Sequence, residues 1–220
     1  MADELPPSAQ NTVVAARRVQ TCRQPVADTV LLQMQSQVND VGAVAAGIDR
    51  LALPVFDAIR RAVGDFIPVV VLRGGLLMLD ACRTTIGCRP WGFVLPSAHG
   101  RGGRFTMQRI DVPIAAPGTP HVLVDPIVNT GATVLATLAV LERTGAVARS
   151  PSLLKLACVF LTDRAEQKIR AQHPGLEIFT VWDRMTVEPN GWVTGVGFDA
   201  GDYAMGGQGC QRVQWGADLP

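Results

Sequence analysis

The sequence predicts an α/β domain with a central, mostly parallel β-sheet flanked by helices. Three observations carry this. Short apolar runs rich in aliphatic and β-branched residues, IPVVVL (67–72), HVLVD (121–125) and LLKLACVFLT (153–162), read as strands buried on both faces. Between them lie stretches with apolar residues at threes and fours, the period of an amphipathic helix. The two kinds alternate, as a parallel sheet with helical crossovers requires.

Taken in order, residues 1–12 are acidic and proline-bearing and read as a loose tail, leaving 13–220 as one domain. From Val13 to Val63 the spacing is mostly helical, with Pro54 expected to break or kink it and Leu51 and Val55 still facing inward. IPVVVL is the first strand. RGG ends it, and a helix over LLMLDACRTTIG follows the two glycines. RPWGFVLP is a strand, whereas PSAHGRGGRFT, with Gly100, Gly102 and Gly103 between Arg101 and Arg104, is loop by composition. HVLVD leads to a helix over ATVLATLAVLERTGA that ends at Gly145. LLKLACVFLT is then one strand, DRAEQKIRAQHPG a helix capped by Asp163, and LEIFTVW a further strand. GWVTGVGFDAGDYAMGGQG is too glycine-dense for a core helix and must loop, as functional segments often do.

Composition narrows the function. A formal net charge of +1 gives no long-range attraction to nucleic acid or to an anionic membrane. The longest apolar run contains Arg73 and Asp80 and does not read as a membrane span. One RGG triplet is not an RNA-binding repeat. Five cysteines without a CxxC pair, with three histidines, argue against a zinc site or disulfide framework and fit a reducing cytoplasm. Cys82 and Cys158 read as buried small hydrophobes. His121 and His173 read as a strand edge and a helix end.

Ligands of such sheets collect beyond the carboxyl ends of the strands. Two loops lie there: RGGL (73–76) and DPIVNTGAT (125–133). In the second, Thr130, Gly131, Ala132 and Thr133 present backbone N–H groups at a helix N-terminus, which favours an anion. Gly131 permits the positive φ that such a nest requires. Asp125, at a strand's end, accepts hydrogen bonds only and suits two neighbouring sugar hydroxyls. The plainer alternative is a turn with a helix cap. The loop is not a Walker A motif, since it lacks GK[ST], and no GxGxxG follows a strand.

VLVDPIVNTGATV (122–134) resembles the phosphoribosyl-pyrophosphate signature of type I phosphoribosyltransferases, and its Asp-Pro form resembles the uracil phosphoribosyltransferases. PVVVLRGGLLMLD, LTDRAEQKIRAQHPGLEIFTVWD and GWVTGVGFDAGDYAMGG resemble that family's diphosphate loop, its strand–helix–strand segment and its glycine-rich end, in the same order, over about residues 30–207. The resemblance implies a type I phosphoribosyltransferase-like fold with a C-terminal hood, or base-binding loop. It also implies transfer of phosphoribosyl from 5-phosphoribosyl 1-diphosphate to uracil, giving UMP and diphosphate in pyrimidine salvage. By the same resemblance Asp125 holds the ribose hydroxyls, while Asn129, Thr130, Gly131, Ala132 and Thr133 wrap the 5′-phosphate. Arg73 and Gly74 meet the diphosphate. Read from the residues alone, in a loop that differs from the family's, Arg101 and Arg104 supply positive charge to diphosphate when that glycine-hinged mobile loop closes. The alternative is a solvated loop whose arginines do nothing specific, and His99 lies in the same loop. By the resemblance again, Trp192, Val193, Phe198, Asp199 and Ala200 form the base pocket, and Asp125, Arg73 and Asp199 form the catalytic set. Mg2+ is implied as cofactor, held mainly through the substrate's diphosphate. So are a homodimer or larger assembly, a cytoplasmic location, and no nucleic-acid or membrane partner.

The sequence departs from the family at the acceptor side. An acidic segment is replaced by FVLPSAHGRGGRFT. Phe198 stands in place of a glycine, Trp192 in place of a tyrosine, and Gln35 where an arginine is common. A ring at 198 would crowd uracil, restrict φ or stack on a different heterocycle. Two alternatives therefore stay open: a phosphoribosyltransferase for another N-heterocycle, and a non-catalytic nucleotide-binding regulator. GTP activation is undecided.

Overall fold

The computed structural model describes residues 19–87, 90–99, 104–113, 116–144, 153–189 and 191–204. The expected tail 1–12, Arg101 and Gly145 lie outside these residues. The main sheet contains β1 (Val19–Thr21), β2 (Ile67–Val71), β3 (Gly92–His99), β4 (Arg104–Asp111), β5 (His121–Val124), β7 (Leu154–Ala157) and β9 (Glu177–Thr180). Its order is β1-β9-β7-β5-β2-β3-β4, and every neighbouring pair is parallel except β3 with β4. A second, three-stranded parallel sheet of β6 (Ile127–Val128), β8 (Phe160–Thr162) and β10 (Trp182–Met185) continues beyond the carboxyl edge.

The period-2 alternation of the strands divides the core in two. Val70, Val122, Val124 and Phe179 face α1 (Ala27–Ser36), α2 (Val41–Val63) and α3 (Leu79–Ile86). Val69, Val71, Leu123, Leu156 and Ile178 face the other way, toward α4 (Ala132–Thr144) and α5 (Asp163–Gln172). Both faces are covered, so β2, β5 and β7 are buried along their whole length. Among the described residues no helix is long and apolar enough to cross a membrane.

Five expectations are corrected. Within the stretch expected to be mostly helical from Val13, Val19–Thr21 form β1 instead, which pairs with β9 in register Val19↔Ile178 before α1 begins, while residues 13–18 lie outside the described residues. Pro54 does not break α2; Leu51, Ala52, Val55 and Phe56 on either side of it are buried, and that packing outweighs one lost intrahelical bond. Within PSAHGRGGRFT the described residues 96–99 and 104–106 are antiparallel strand rather than loop, with Ser97↔Thr106, Ala98↔Phe105 and His99↔Arg104 paired. The loop expectation for 100–103 lies outside the described residues. The register shifts between Leu95 and Pro96, where a residue without an N–H is accommodated by a bulge. LLKLACVFLT splits into β7 and β8, because the Val159 and Phe160 amides turn to the carbonyl of Pro126 at 3.0 and 2.9 Å. Finally, Thr162 caps α5, its hydroxyl accepting from the Ala165 amide at 3.0 Å, while Asp163 accepts from the Gln167 side chain.

The segment after β10 is mostly irregular, as expected, but closes in a single helical turn, α6 (Ala200–Tyr203). Two side-chain bonds tie it to the N-terminal helices. The Gln35 amide donates to the carbonyl of Gly195, and the Tyr203 hydroxyl donates to the carbonyl of Val38.

Candidate active site

A cleft of about 410 Å³ opens at the carboxyl edge of β2 and β5. Adjacent parallel strands deliver its floor: β2 ends at Val71 and the chain continues to Arg73, while β5 ends at Val124 and continues to Asp125. The peptide bond between Leu72 and Arg73 is cis. A turn of 3-10 helix (Gly74–Met78) follows at once, and it lies so close to β5 that a Cβ on Gly75 would sit 2.6 Å from the Val124 carbonyl oxygen. That close approach demands glycine, and it brings the Arg73 loop beside Asp125.

The loop after Asp125 has the nest-like turn expected of it. Gly131 adopts φ 69°, and α4 starts at the next residue. The Thr130 hydroxyl accepts from the Ala132 amide at 3.3 Å, so part of the turn is satisfied internally. Thr133 and Asn129 line the cleft, with Thr130, Gly131 and Ala132 forming the turn between them. The Asn129 amide reaches across to residue 191. Its Nδ2 donates to the Gly191 carbonyl at 2.7 Å, and its Oδ1 is buried without a hydrogen-bond partner in the described structure.

The opposite wall comes from residues 191–201. Gly191, Trp192, Val193, Phe198, Asp199 and Ala200 all line the cleft. Trp192 is 38% exposed and is no core aromatic. Phe198 is the reverse: its ring is buried, 5.2 Å from the Tyr203 ring at an interplanar angle of 58°. The side chain thus packs on Tyr203 while remaining part of the cleft lining. Asp199 is the N-cap of α6, its Oδ1 accepting from the amides of Gly201 at 2.8 Å and Asp202 at 3.2 Å.

Leu95 and Pro96 supply a wall that sequence reasoning missed. They sit opposite the register shift at Gln108 of β4, and the one available signal was the proline at the end of RPWGFVLP. Arg104 and His99 are paired at the far end of β3 and β4.

Electrostatically the floor is unusual. Asp125 is half-buried, lining the cleft floor with its carboxyl largely surrounded by protein. Burial pushes its carboxyl up to about 7; an amide bond from Ile127 opposes the rise and the charge of Asp199 adds to it. The cysteines Cys22, Cys82 and Cys158 are buried, and burial raises all three thiols, Cys158 to about 12, so none is a nucleophile at neutral pH. The cleft therefore offers an acceptor of sugar hydroxyls, an arginine for an anion and a partly apolar slot between Leu95, Pro96 and Trp192.

Residues 55–206 match the family described as uracil phosphoribosyltransferase. The uracil phosphoribosyltransferase of Synechocystis sp. is 36% identical over 92 residues, 41% of this chain and 41% of that protein, so the match spans under half of the relative's length. Among solved structures, the AQ2163 protein from Aquifex aeolicus is similar at a TM-score of 0.69 and 15% identity, covering 84% of this chain and 97% of its own. The adenine phosphoribosyl transferase from Trypanosoma brucei, solved with AMP, pyrophosphate and ribose-5-phosphate, is similar at a TM-score of 0.54 and 12% identity over 76% of this chain and 84% of that one. These likenesses show the type I phosphoribosyltransferase fold. The family match covers more than half of the sequence and includes Arg73, Asp125 and the Asp199–Asp202 turn, and the chain belongs to the uracil phosphoribosyltransferase family.

Proposed function

We propose that the protein transfers the phosphoribosyl group of 5-phosphoribosyl 1-diphosphate to uracil, releasing diphosphate. The observation that carries this reading is the delivery of Arg73 and Asp125 to one floor from adjacent strands, opposite the wall formed by Trp192, Val193 and Asp199.

In the reaction the C1–O bond to diphosphate breaks, a ring nitrogen of the acceptor bonds to C1, and that nitrogen releases its proton. Positive charge develops at C1 and the ring oxygen. Ionised Asp125 accepts the ribose hydroxyls and places its negative charge beneath that developing cation. Arg73 donates to the diphosphate, whose negative charge grows as it leaves. No covalent nucleophile is needed. The donor set fits a magnesium ion carried in by the substrate: Asp125 and Asp199 offer hard oxygens, and among the described residues no three His, Cys, Asp or Glu side chains gather into a cage of their own. When bound, the ion would neutralise diphosphate charge.

Membership of the uracil phosphoribosyltransferase family supports uracil as the acceptor. The test is diphosphate release with the donor, magnesium and a panel of bases. Turnover with uracil supports the reading, and turnover only with another ring reassigns the acceptor. Donor binding without release would make the chain a non-catalytic binder, and absence of donor binding would refute the reading outright.

A further inference from the structure

We propose that Asp202 is an internal counter-ion for Arg73, competing with diphosphate for the guanidinium and so setting how readily diphosphate leaves. This rests on the donor site proposed above.

The placement is specific. Arg73 Nη2 lies 3.7 Å from Asp202 Oδ1, and both side chains are about one-third exposed, 29% and 35%. The guanidinium lies against the first turn of α6: a Cβ on Gly201 would sit 3.6 Å from Arg73 Nη2. On the other side of the same contact, a Cβ on Gly74 would sit 3.2 Å from the Ala200 Cβ. The arginine loop and the DAGD turn are therefore docked backbone to backbone. Asp202 is held in place from below, since its amide donates to the Asp199 cap at 3.2 Å.

The charge balance gives this pair a consequence. Among the described residues lining the cleft, Arg73 is the single cationic side chain, while Asp125 and Asp199 are acidic. An anion entering beside Arg73 meets a guanidinium already shared with a carboxylate fixed on α6. Binding must displace or divide that interaction, and departure restores it. A carboxylate at 202 thus weakens the anion complex and favours product release, at the expense of ground-state affinity. Because the pair is partly solvated, the effect is modest and falls with salt.

The experiment is titration of inorganic diphosphate with magnesium into the wild-type protein and into Asp202→Asn, Asp202→Glu and Arg73→Ala, by calorimetry at low and high ionic strength. Asp202→Asn should bind diphosphate about two- to five-fold more tightly than wild type at low salt, the span of a partly exposed ion pair. The difference should shrink at high salt. Asp202→Glu should return affinity toward wild type, and Arg73→Ala should lose most binding in every background. Unchanged or weaker binding by a folded Asp202→Asn overturns the counter-ion role while leaving the donor site standing. If wild type itself binds no diphosphate, the donor site fails and the inference with it. Thermal unfolding of each variant separates a loss of fold from a change of affinity.

Discussion

Asp125 serves the site under a burden on the fold, and the burden is measurable. Its carboxyl is pushed from 3.8 to about 7. In the unfolded chain the group ionises near its ordinary value, so between these two pH values the folded state holds a proton that the unfolded state has released. Stability from this group is therefore fully present below 3.8 and is lost as pH rises through about 7. The whole shift corresponds to a ceiling of about 4 kcal/mol at about 1.36 kcal/mol per unit. Asp125 is only half-buried at the cleft, and water there lowers the effective figure to about 1–2 kcal/mol. Asp125→Asn keeps the shape and removes the charge. At pH 8 it should be more stable than wild type by that amount, a rise in Tm of about 3–6 °C for a chain of this length. At pH 4 the two proteins should melt within about a degree of each other, since little of the wild-type penalty has then developed. Differential scanning calorimetry at four pH values between these limits traces the curve. An Asp125→Asn protein that is less stable at pH 8, or equally more stable at both ends, would refute the reasoning. The same variant should lose at least about a hundred-fold in kcat/KM, a loss of about 2.7 kcal/mol or more, because Asn cannot supply the charge. In wild type, donor affinity should rise with pH up to about 7, as the acceptor form of Asp125 becomes populated.

Two further substitutions separate the donor loop from the acceptor wall. Gly131→Ala forces a Cβ onto φ 69°, 3.2 Å from Ile169 Cγ1 and 3.3 Å from the Ala165 carbonyl oxygen. It should destabilise by about 1–2 kcal/mol in urea titration and raise the donor KM more than the acceptor KM. Tyr203→Phe keeps the ring against Phe198 but deletes the bond to the Val38 carbonyl. A loss of about 1 kcal/mol is expected, with the acceptor KM rising more than the donor KM because the wall is loosened on its own side.

What the sequence made legible follows from which elements are decided locally. IPVVVL and HVLVD could be read because a strand covered on both faces must be apolar throughout, and β2 and β5 are buried at every position. Their ends then located Arg73 and Asp125, since ligands gather where such strands stop. β1 was hidden because VQT is short and largely exposed, and its strand character comes only from its pairing with β9. The β3–β4 pairing was hidden for a related reason: the glycine-rich stretch before β4 is loop-like in composition, and the register of β4 is imposed by its pairing with FVLPSAH. Leu95 and Pro96 went unrecognised with it, although they form a wall of the cleft. Phe198 marks a different limit. Its identity was visible, but the direction of its ring is set by Tyr203, which the Val38 carbonyl holds from an element 165 residues away in sequence. A glycine replaced by phenylalanine looked like a change of substrate. In the structure the ring is buried against Tyr203, and Phe198 still contributes to the lining of the cleft. The sharper candidate for altered acceptor recognition is then Trp192, whose large face remains exposed at the cleft.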